Sequence, residues 1–327
     1  MLRTVRSVRS STMSKPINLV LDWDGTITVK DTMLAYGKIA DIRDARLGRE
    51  PTGTKIFGDF GKAWMDDYSA HEASFVPQAK DRKRVEDERV WLNSLSLVEA
   101  RSAERVEQSG FFTNVKREDV SKASELLLES GSVSLRAGWD RLFSKAFSKA
   151  HEGTGRRDHD LRVSILSVNW SETFIRASLR AAARRSGYED QLGRGIEELA
   201  IAANEIEGLE RADGSSGKLT DPSHPVIRMN SDKLRNLRKD GDSLDVYVGD
   251  SSTDFDCLLA ADLGICVRDT PMSSSAKGLA DIFARLGCEV PHVSDLKTCH
   301  DKALAESNVF WAKDFNEIMD LLERLQT

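Results

Sequence analysis

The sequence predicts an α/β protein: a Rossmann-like parallel sheet with helices on both faces, plus a helical domain inserted after the first strand. Short apolar runs that end in polar or glycine-containing segments recur along the chain, as is typical of buried parallel strands. Helical segments separate the later runs, and strands that alternate with helices form parallel sheets. The predicted strands span residues 17–21, 161–168, 244–249, 263–267 and 308–311.

Four helices are predicted around the later strands. They span residues 171–185, 231–238, 253–261 and 314–325. In open sheets of this kind, ligands bind at the carboxyl ends of the strands. Residues that carry chemistry are therefore expected directly after the apolar runs.

Residues 31–150 break the alternation of strands and helices. They are rich in charge and helix formers, with apolar residues at helical spacing, as in VWLNSLSLVEA and SKASELLLESG. We interpret 31–150 as an all-helical insertion, and 16–30 together with 151–327 as the sheet-containing core. Polar, glycine-containing segments predict a surface linker at 151–160 and a loop at 208–225.

Composition is that of a soluble globular protein. The 327 residues are 40% hydrophobic and 31% charged, with a formal net charge of −6. This acidic balance argues against nonspecific binding to nucleic acid or to anionic membranes. No apolar run is long enough to cross a bilayer, and the four cysteines form no C-x-x-C pair.

The first fifteen residues differ from the rest. They are rich in Arg and Ser, and the chain carries no acidic residue before Asp22. Such a segment is typical of a mitochondrial transit peptide, whereas a disordered tail or a start at Met13 explains it equally. We favour the cytoplasm, with the mitochondrion as the alternative.

The first candidate site residues are Asp22 and Asp24, in the DWDGT segment that follows the first strand. Two residues apart in an extended segment, their side chains point to the same side. Neighbouring carboxylates repel each other unless a cation or proton lies between them. A hard divalent cation such as Mg²⁺ meets that need beside a phosphate. A turn with Asp in a loop position is the alternative for this fragment alone.

A second acidic pair follows the strand at 244–249. Asp250 ends this strand, and Asp254 lies about one helical turn further on, facing the same point. Asp256 is expected to point elsewhere, as a surface or capping residue. Four carboxylates at one sheet edge predict a bound metal ion, because an uncompensated cluster of this size is unfavourable.

Three further side chains are candidates for holding a phosphate. Ser167 lies at the end of the strand at 161–168 and Asn169 follows it, where a hydroxyl and backbone N–H groups can bind phosphate oxygens. Lys233 begins the helix before the Asp250 strand and can neutralise Asp22 and a phosphoryl group. Each alone is also explained as a turn cap or a solvated surface residue.

Taken in order, DWDGT, the strand-end Ser167, Lys233 and GDSSTD resemble the four motifs of the haloacid dehalogenase superfamily of hydrolases. The resemblance spans about residues 17 to 270 and implies that 31–150 is a cap domain. It also implies a phosphoric monoester hydrolase that depends on Mg²⁺ and acts on a small-molecule phosphate ester. The presence of Asp24 argues against true dehalogenase chemistry.

The resemblance implies a role for each motif residue. Asp22 would attack phosphorus and form an aspartyl-phosphate, while Asp24 would protonate the leaving oxygen and then activate water. Ser167 and Lys233 would hold the phosphoryl group. Asp250 would bind Mg²⁺ together with Asp22 and the backbone carbonyl of Asp24, and Asp254 would support the metal directly or through water.

Two segments indicate a subgroup. SVNWSETFIRASL and GDSSTDFDCLLAADLGICV resemble the phosphatase domain of plant bifunctional proteins that act on thiamine monophosphate. Trp170 then either stacks on a heteroaromatic ring of the substrate or packs within the protein. Phosphoserine phosphatase-like activity and a phosphomutase remain alternatives, and a noncatalytic binding protein on this fold is a third.

Overall fold

The computed structural model describes residues 15–148, 161–296 and 308–326, and it contains one six-stranded parallel sheet. The strand order across the sheet is β3-β2-β1-β4-β5-β6. The strands are β1 (Ile17–Leu21), β2 (Leu161–Leu166), β3 (Ala200–Ala202), β4 (Leu244–Gly249), β5 (Leu263–Val267) and β6 (Val309–Ala312). The predicted α/β fold class is confirmed.

Strand register brings the site segments to one edge of the sheet. Leu21 of β1 lies opposite Ile165 of β2 and Val248 of β4. These three central strands therefore end at nearly the same level. The backbone N–H of Asp22 continues the pairing by donating to the carbonyl of Val248 at 2.9 Å. The polar residues after each strand meet there because parallel strands share a carboxyl edge.

Helices connect the strands in the described parts of the chain. There, six lie between β1 and β2: α1 (Ala35–Arg46), α2 (Gly53–Ser74), α3 (Val85–Ser94), α4 (Ser96–Gln108), α5 (Arg117–Glu129) and α6 (Trp139–Phe147). The later ones are α7 (Glu172–Arg185), α8 (Glu189–Glu198), α9 (Asn230–Asn236), α10 (Phe255–Ala260), α11 (Ser274–Arg285) and α12 (Phe315–Gln326). None of the described helices is both long and apolar enough to span a lipid bilayer.

The helices after β1 do not all pack alike. Helix α1 packs on α2 and α5, whereas α6 packs on β2, α8 and α12. The last helix of the predicted cap range thus lies among the helices that cover the sheet. The division at 150 stays a prediction, and the predicted N-terminal segment and the linker at 151–160 lie outside the described residues, apart from Lys15.

Buried side chains divide between the two faces of the sheet with the period of two that a strand imposes. Leu19 and Leu21 join one apolar cluster, and Val20 joins the other. In β4, Val246 and Val248 face the first cluster, while Tyr247 faces the second. Both faces are therefore apolar, which explains why the strands appear in the sequence as continuous hydrophobic runs.

Candidate active site

Three buried carboxylates converge at the carboxyl edge of the sheet. Asp22 follows β1, Asp250 follows β4, and Asp254 lies in the short turn before α10. One oxygen from each lies within 4.8 Å of the others. The two strand-end segments, more than two hundred residues apart in the chain, thus meet at one point.

Lys233 supplies the positive charge at this point. Its Nζ lies 2.8 Å from Asp22 Oδ1 and 2.7 Å from Asp254 Oδ1, and its side chain is fully buried. Burial alone would lower the pKa of Lys233, but the carboxylates of Asp22 and Asp254 outweigh it and raise that pKa above its ordinary value. Lys233 is therefore an ammonium ion that lies between the carboxylates of Asp22 and Asp254.

Asp254 is saturated with donors from the protein. Its Oδ1 accepts from Lys233 Nζ and from the Tyr247 hydroxyl at 2.6 Å. Its Oδ2 accepts from the backbone N–H groups of Asp250 and Ser251 at 3.1 and 3.0 Å. Because both oxygens of Asp254 accept hydrogen bonds from the protein, this carboxylate holds the loop that carries Asp250 in place. Of the two predicted roles for Asp254, these contacts favour support of the metal through water over direct binding.

Asp22 and Asp250 keep capacity for a ligand. Asp22 Oδ1 has Lys233 Nζ at 2.8 Å as its one polar partner among the described residues. Burial, followed by the charge of Asp254, raises the pKa of Asp22 well above its ordinary value and that of Asp250 to about 7. These are hard oxygen donors, and the single positive charge of Lys233 does not balance three neighbouring carboxylates, so they fit a divalent cation such as Mg²⁺.

Gly25 is the residue that lets these groups approach. Its φ of +70° lies in the left-handed region, and an added Cβ would stand 2.4 Å from Asp250 Oδ2. A side chain here would be strained and would also displace the Asp250 carboxylate. The glycine of DWDGT is thus required by both the turn and the carboxylate beside it.

We expect the apparent affinity for Mg²⁺ to fall at acid pH. The folded protein retains a proton on Asp250 up to about pH 7, whereas an unfolded aspartate loses it near pH 4. The ion-free protein therefore loses stability as pH rises through that window, and a cation displaces the proton. Below pH 7, titration calorimetry should show affinity falling by up to about tenfold per pH unit. A pH-independent affinity would contradict this.

Asp24 occupies a different environment from Asp22. It is half-buried, and its Oδ1 accepts from the backbone N–H of Thr32 at 2.8 Å and from the Thr32 hydroxyl. Its Oδ2 accepts from Asn169 Nδ2 at 2.8 Å. Burial, and then the charge of Asp31, raises the pKa of Asp24 to about 6. Such a carboxyl group can donate and accept a proton near neutral pH.

Ser167 and Asn169 lie after β2, where a phosphate-binding role would place them. The two side chains make different contacts. Ser167 is fully buried, and its Oγ accepts from the Asn169 backbone N–H at 3.2 Å. The Asn169 side chain is bound to Asp24 and to the hydroxyl of Tyr36. Its amide therefore serves the acid beside it.

Arg136 is a site residue that sequence reasoning did not identify. From the segment before α6, its Nε and Nη2 donate to the carbonyls of Thr26 and Gly25 at 2.9 and 2.7 Å. Its Nη1 pairs with Asp269 at 2.6 Å. A buried guanidinium thus ties the DWDGT loop to the segment after β5. No local pattern marks it, because its partners lie more than a hundred residues away in sequence.

We expect Arg136→Ala to impair both folding and activity. The change leaves the carbonyls of Thr26 and Gly25 and the carboxylate of Asp269 without their donor, which costs about 3–5 kcal/mol in free energy of unfolding. The loop carrying Asp22 would lose its anchor, so kcat should fall even at temperatures where the protein stays folded. Denaturant titration and kcat measure the two effects, with Arg141→Ala, at a half-buried arginine away from the site, as the control. Wild-type values for both would contradict the anchoring role.

The aromatic residues near the site pack against one another. Trp23 is fully buried. The half-buried Trp170 ring lies 5.7 and 5.8 Å from the rings of Tyr36 and Phe57. These contacts agree with the alternative in which Trp170 packs within the protein.

Comparison with known proteins finds no matching family model. Two curated proteins are similar in sequence. The chain is 25% identical over 281 residues to the Bifunctional TH2 protein, mitochondrial, of Arabidopsis thaliana, covering 80% of this chain and 40% of that protein. It is 24% identical over 270 residues to a CTO1 family protein of Schizosaccharomyces pombe, covering 76% of this chain and 81% of that protein.

Solved structures also match this chain, at low sequence identity. A phospho-aspartyl intermediate analogue of phosphoserine phosphatase matches with a TM-score of 0.38 and 13% identity, covering 94% of this chain and 98% of that chain. A HAD family hydrolase from Salmonella enterica matches with a TM-score of 0.37 and 13% identity, covering 78% of this chain and 63% of that chain. The predicted resemblance to plant bifunctional proteins is confirmed by the similarity to the Arabidopsis protein. The chain spans about 40% of the length of its Arabidopsis relative.

Proposed function

We propose that the chain is a Mg²⁺-dependent phosphatase, a phosphoric monoester hydrolase that cleaves a small-molecule ester through an aspartyl-phosphate on Asp22. The observation that carries the proposal is the state of Asp22. It is a buried carboxylate whose Oδ1 lies 2.8 Å from the ammonium of Lys233, and it stands beside Asp250. A nucleophile for phosphoryl transfer needs this positioning and charge neutralisation.

In the first step, an Asp22 oxygen forms a bond to phosphorus while the bond to the ester oxygen breaks. Asp24 gives its proton to the departing oxygen, which leaves as an alcohol. Asp22, Asp250 and the backbone carbonyl of Asp24 would hold Mg²⁺, which neutralises phosphoryl charge when bound. Lys233 and Ser167 hold the phosphoryl group in place.

In the second step, Asp24 acts in the reverse sense. Its carboxylate takes a proton from a water molecule, whose oxygen attacks phosphorus and displaces the Asp22 carboxylate. Inorganic phosphate leaves, and both aspartates return to their starting states. A carboxyl group whose pKa lies at about 6 suits both steps at neutral pH.

Trapping the covalent state tests this proposal. Wild-type protein with Mg²⁺ should hydrolyse p-nitrophenyl phosphate, and chelation of the ion should stop turnover. Acid quenching during turnover, followed by peptide mass spectrometry, should find phosphate on the peptide that contains Asp22. Turnover without any phosphorylated aspartate would refute the intermediate, and turnover after complete chelation would refute the metal requirement.

For the substrate we propose thiamine monophosphate or a related ester. The support is sequence similarity to the Arabidopsis Bifunctional TH2 protein, which extends over 80% of this chain. A panel should compare thiamine monophosphate with phosphoserine, nucleotides and sugar phosphates by kcat/KM. Equal or lower kcat/KM for thiamine monophosphate would remove this substrate. Isomerised sugar phosphate without free phosphate would instead indicate a phosphomutase.

The cellular compartment can be tested separately. The Arabidopsis relative carries the word mitochondrial in its name, while we favour the cytoplasm for this chain. Imaging of the full chain beside a version that starts at Met13 separates the two. Import of the full chain alone would assign a targeting role to the N-terminal segment.

A further inference from the structure

The amide of Asn169 fills every one of its hydrogen-bonding positions. Its Nδ2 donates to Asp24 Oδ2 at 2.8 Å and to the Thr32 hydroxyl at 3.3 Å. Its Oδ1 accepts from the Tyr36 hydroxyl at 2.5 Å and from the Ser171 backbone N–H at 3.3 Å. Two donors and two acceptor positions are all that an asparagine side chain offers. Nothing in the amide remains for a phosphate oxygen.

The orientation of this amide follows from its neighbours. Asp24 offers only acceptor oxygens when ionised, so the NH₂ end must face it. The backbone N–H of Ser171 is a donor, so the carbonyl end must face the opposite way. Asn169 is also completely buried, which leaves no water to compensate a lost partner. The side chain therefore has one stable arrangement.

Tyr36 fixes the far end of this chain of hydrogen bonds. It belongs to α1, the first helix after the DWDGT loop, and is fully buried. Its ring packs edge-on against Phe112 at 5.8 Å and tilted against Phe174 at 5.6 Å. This packing fixes the position of the Tyr36 hydroxyl. The position of α1 therefore determines where the hydroxyl meets Asn169.

Asp24 receives hydrogen bonds on both oxygens from this network. Thr32 holds Oδ1, and Asn169 holds Oδ2. A carboxyl group gripped on two sides cannot rotate freely about its bond to Cβ. We propose that Asn169, held by Tyr36, is a positioning residue that aims the Asp24 carboxyl group at the leaving oxygen of the ester.

This inference rests on the proposed function, in which Asp24 delivers a proton to that oxygen. If the Asp24 carboxyl group is misdirected, the rate of ester cleavage falls only to the extent that the leaving group needs a proton. An alkyl alcohol leaves with great difficulty as an alkoxide, whereas p-nitrophenolate leaves readily without protonation. If a variant loses the positioning of Asp24, the fall in kcat/KM should therefore depend on the leaving group. If it loses phosphate binding or folding, kcat/KM should fall equally for every ester.

The test compares kcat/KM for p-nitrophenyl phosphate and for an alkyl ester, glycerol phosphate, in wild type, Asn169→Ala and Tyr36→Phe. General acid catalysis contributes about 10²–10⁴-fold, so we expect Asn169→Ala to lose about 10²-fold with the alkyl ester. The loss with p-nitrophenyl phosphate should stay within about tenfold. Tyr36→Phe keeps the ring packing and should show the same pattern at smaller size.

Two further variants make the outcome decisive. Asp24→Asn should show the largest difference between the esters, and Tyr68→Phe, a matched change in α2 where the ring stacks on Trp64, should show none. Equal losses for both esters in Asn169→Ala would overturn the positioning role while leaving the phosphatase standing. A wild type that hydrolyses neither ester would overturn the proposed function and this inference together.

Discussion

Asp22→Asn should abolish hydrolysis of every phosphate ester, with a loss of at least about 10⁴-fold in kcat, because removing a covalent nucleophile costs that much or more. An amide oxygen is too weakly basic to attack phosphorus. The change keeps the size of the side chain, and one fewer buried negative charge stands beside Asp250 and Asp254. We therefore expect a folded protein at least as stable as wild type. Stopped assays and thermal unfolding measure the two effects.

Substrate binding separates this variant from a misfolded one. Asp22→Asn should still bind inorganic phosphate through Lys233 and Ser167, in amounts that calorimetry can measure. The control is Asp281→Asn, at an exposed aspartate of α11, which should keep wild-type kcat. Residual activity above about one per cent in Asp22→Asn, or phosphate found on a different residue, would assign the nucleophile elsewhere.

The strands that carry the site could be predicted from sequence because they are buried on both faces. Their apolar runs are continuous, so β1, β4 and β5 have the predicted bounds. The strand β3 (Ala200–Ala202) was not predicted, since three residues at the edge of the sheet give no run to recognise. Asp22 and Asp250 follow from β1 and β4, because a strand end fixes where the next residue points.

Contacts made across the fold could not be predicted in this way. The partners of Arg136 lie in the DWDGT loop and after β5, and nothing in its neighbourhood distinguishes it from a surface arginine. Asp256 points away from the site, but it is buried against Asn230 and Arg89 instead of lying at the surface. Packing decides both cases, and local patterns do not encode it.

Asn169 shows how a position can be predicted while its contacts are not. The end of β2 places it near the phosphate site, which sequence order alone indicates. Whether its amide faces a phosphate or Asp24 depends on Tyr36, a residue of a different element. The same limit applies to Asp254. Its spacing predicts that it faces the site, but not that five protein donors bind its carboxylate.

Lys233→Met should destabilise the protein strongly and also remove activity. Methionine fills the same volume but leaves the carboxylates of Asp22 and Asp254 buried without their shared cation. Removing one partner of a buried ion pair costs about 3–5 kcal/mol in free energy of unfolding. Denaturant titration measures this loss, with the exposed Lys277→Met on α11 as a control that should leave stability unchanged.

A second substitution tests whether charge causes the loss of stability in Lys233→Met. If uncompensated negative charge is the cause, adding Asp22→Asn to Lys233→Met should restore part of the lost free energy of unfolding, although neither variant is active. Mg²⁺ should stabilise Lys233→Met more than wild type, because the ion replaces part of the missing positive charge. If the change in free energy of unfolding of the double variant were simply the sum of the two single changes, Lys233 would act through packing alone, and the electrostatic account of this site would be wrong.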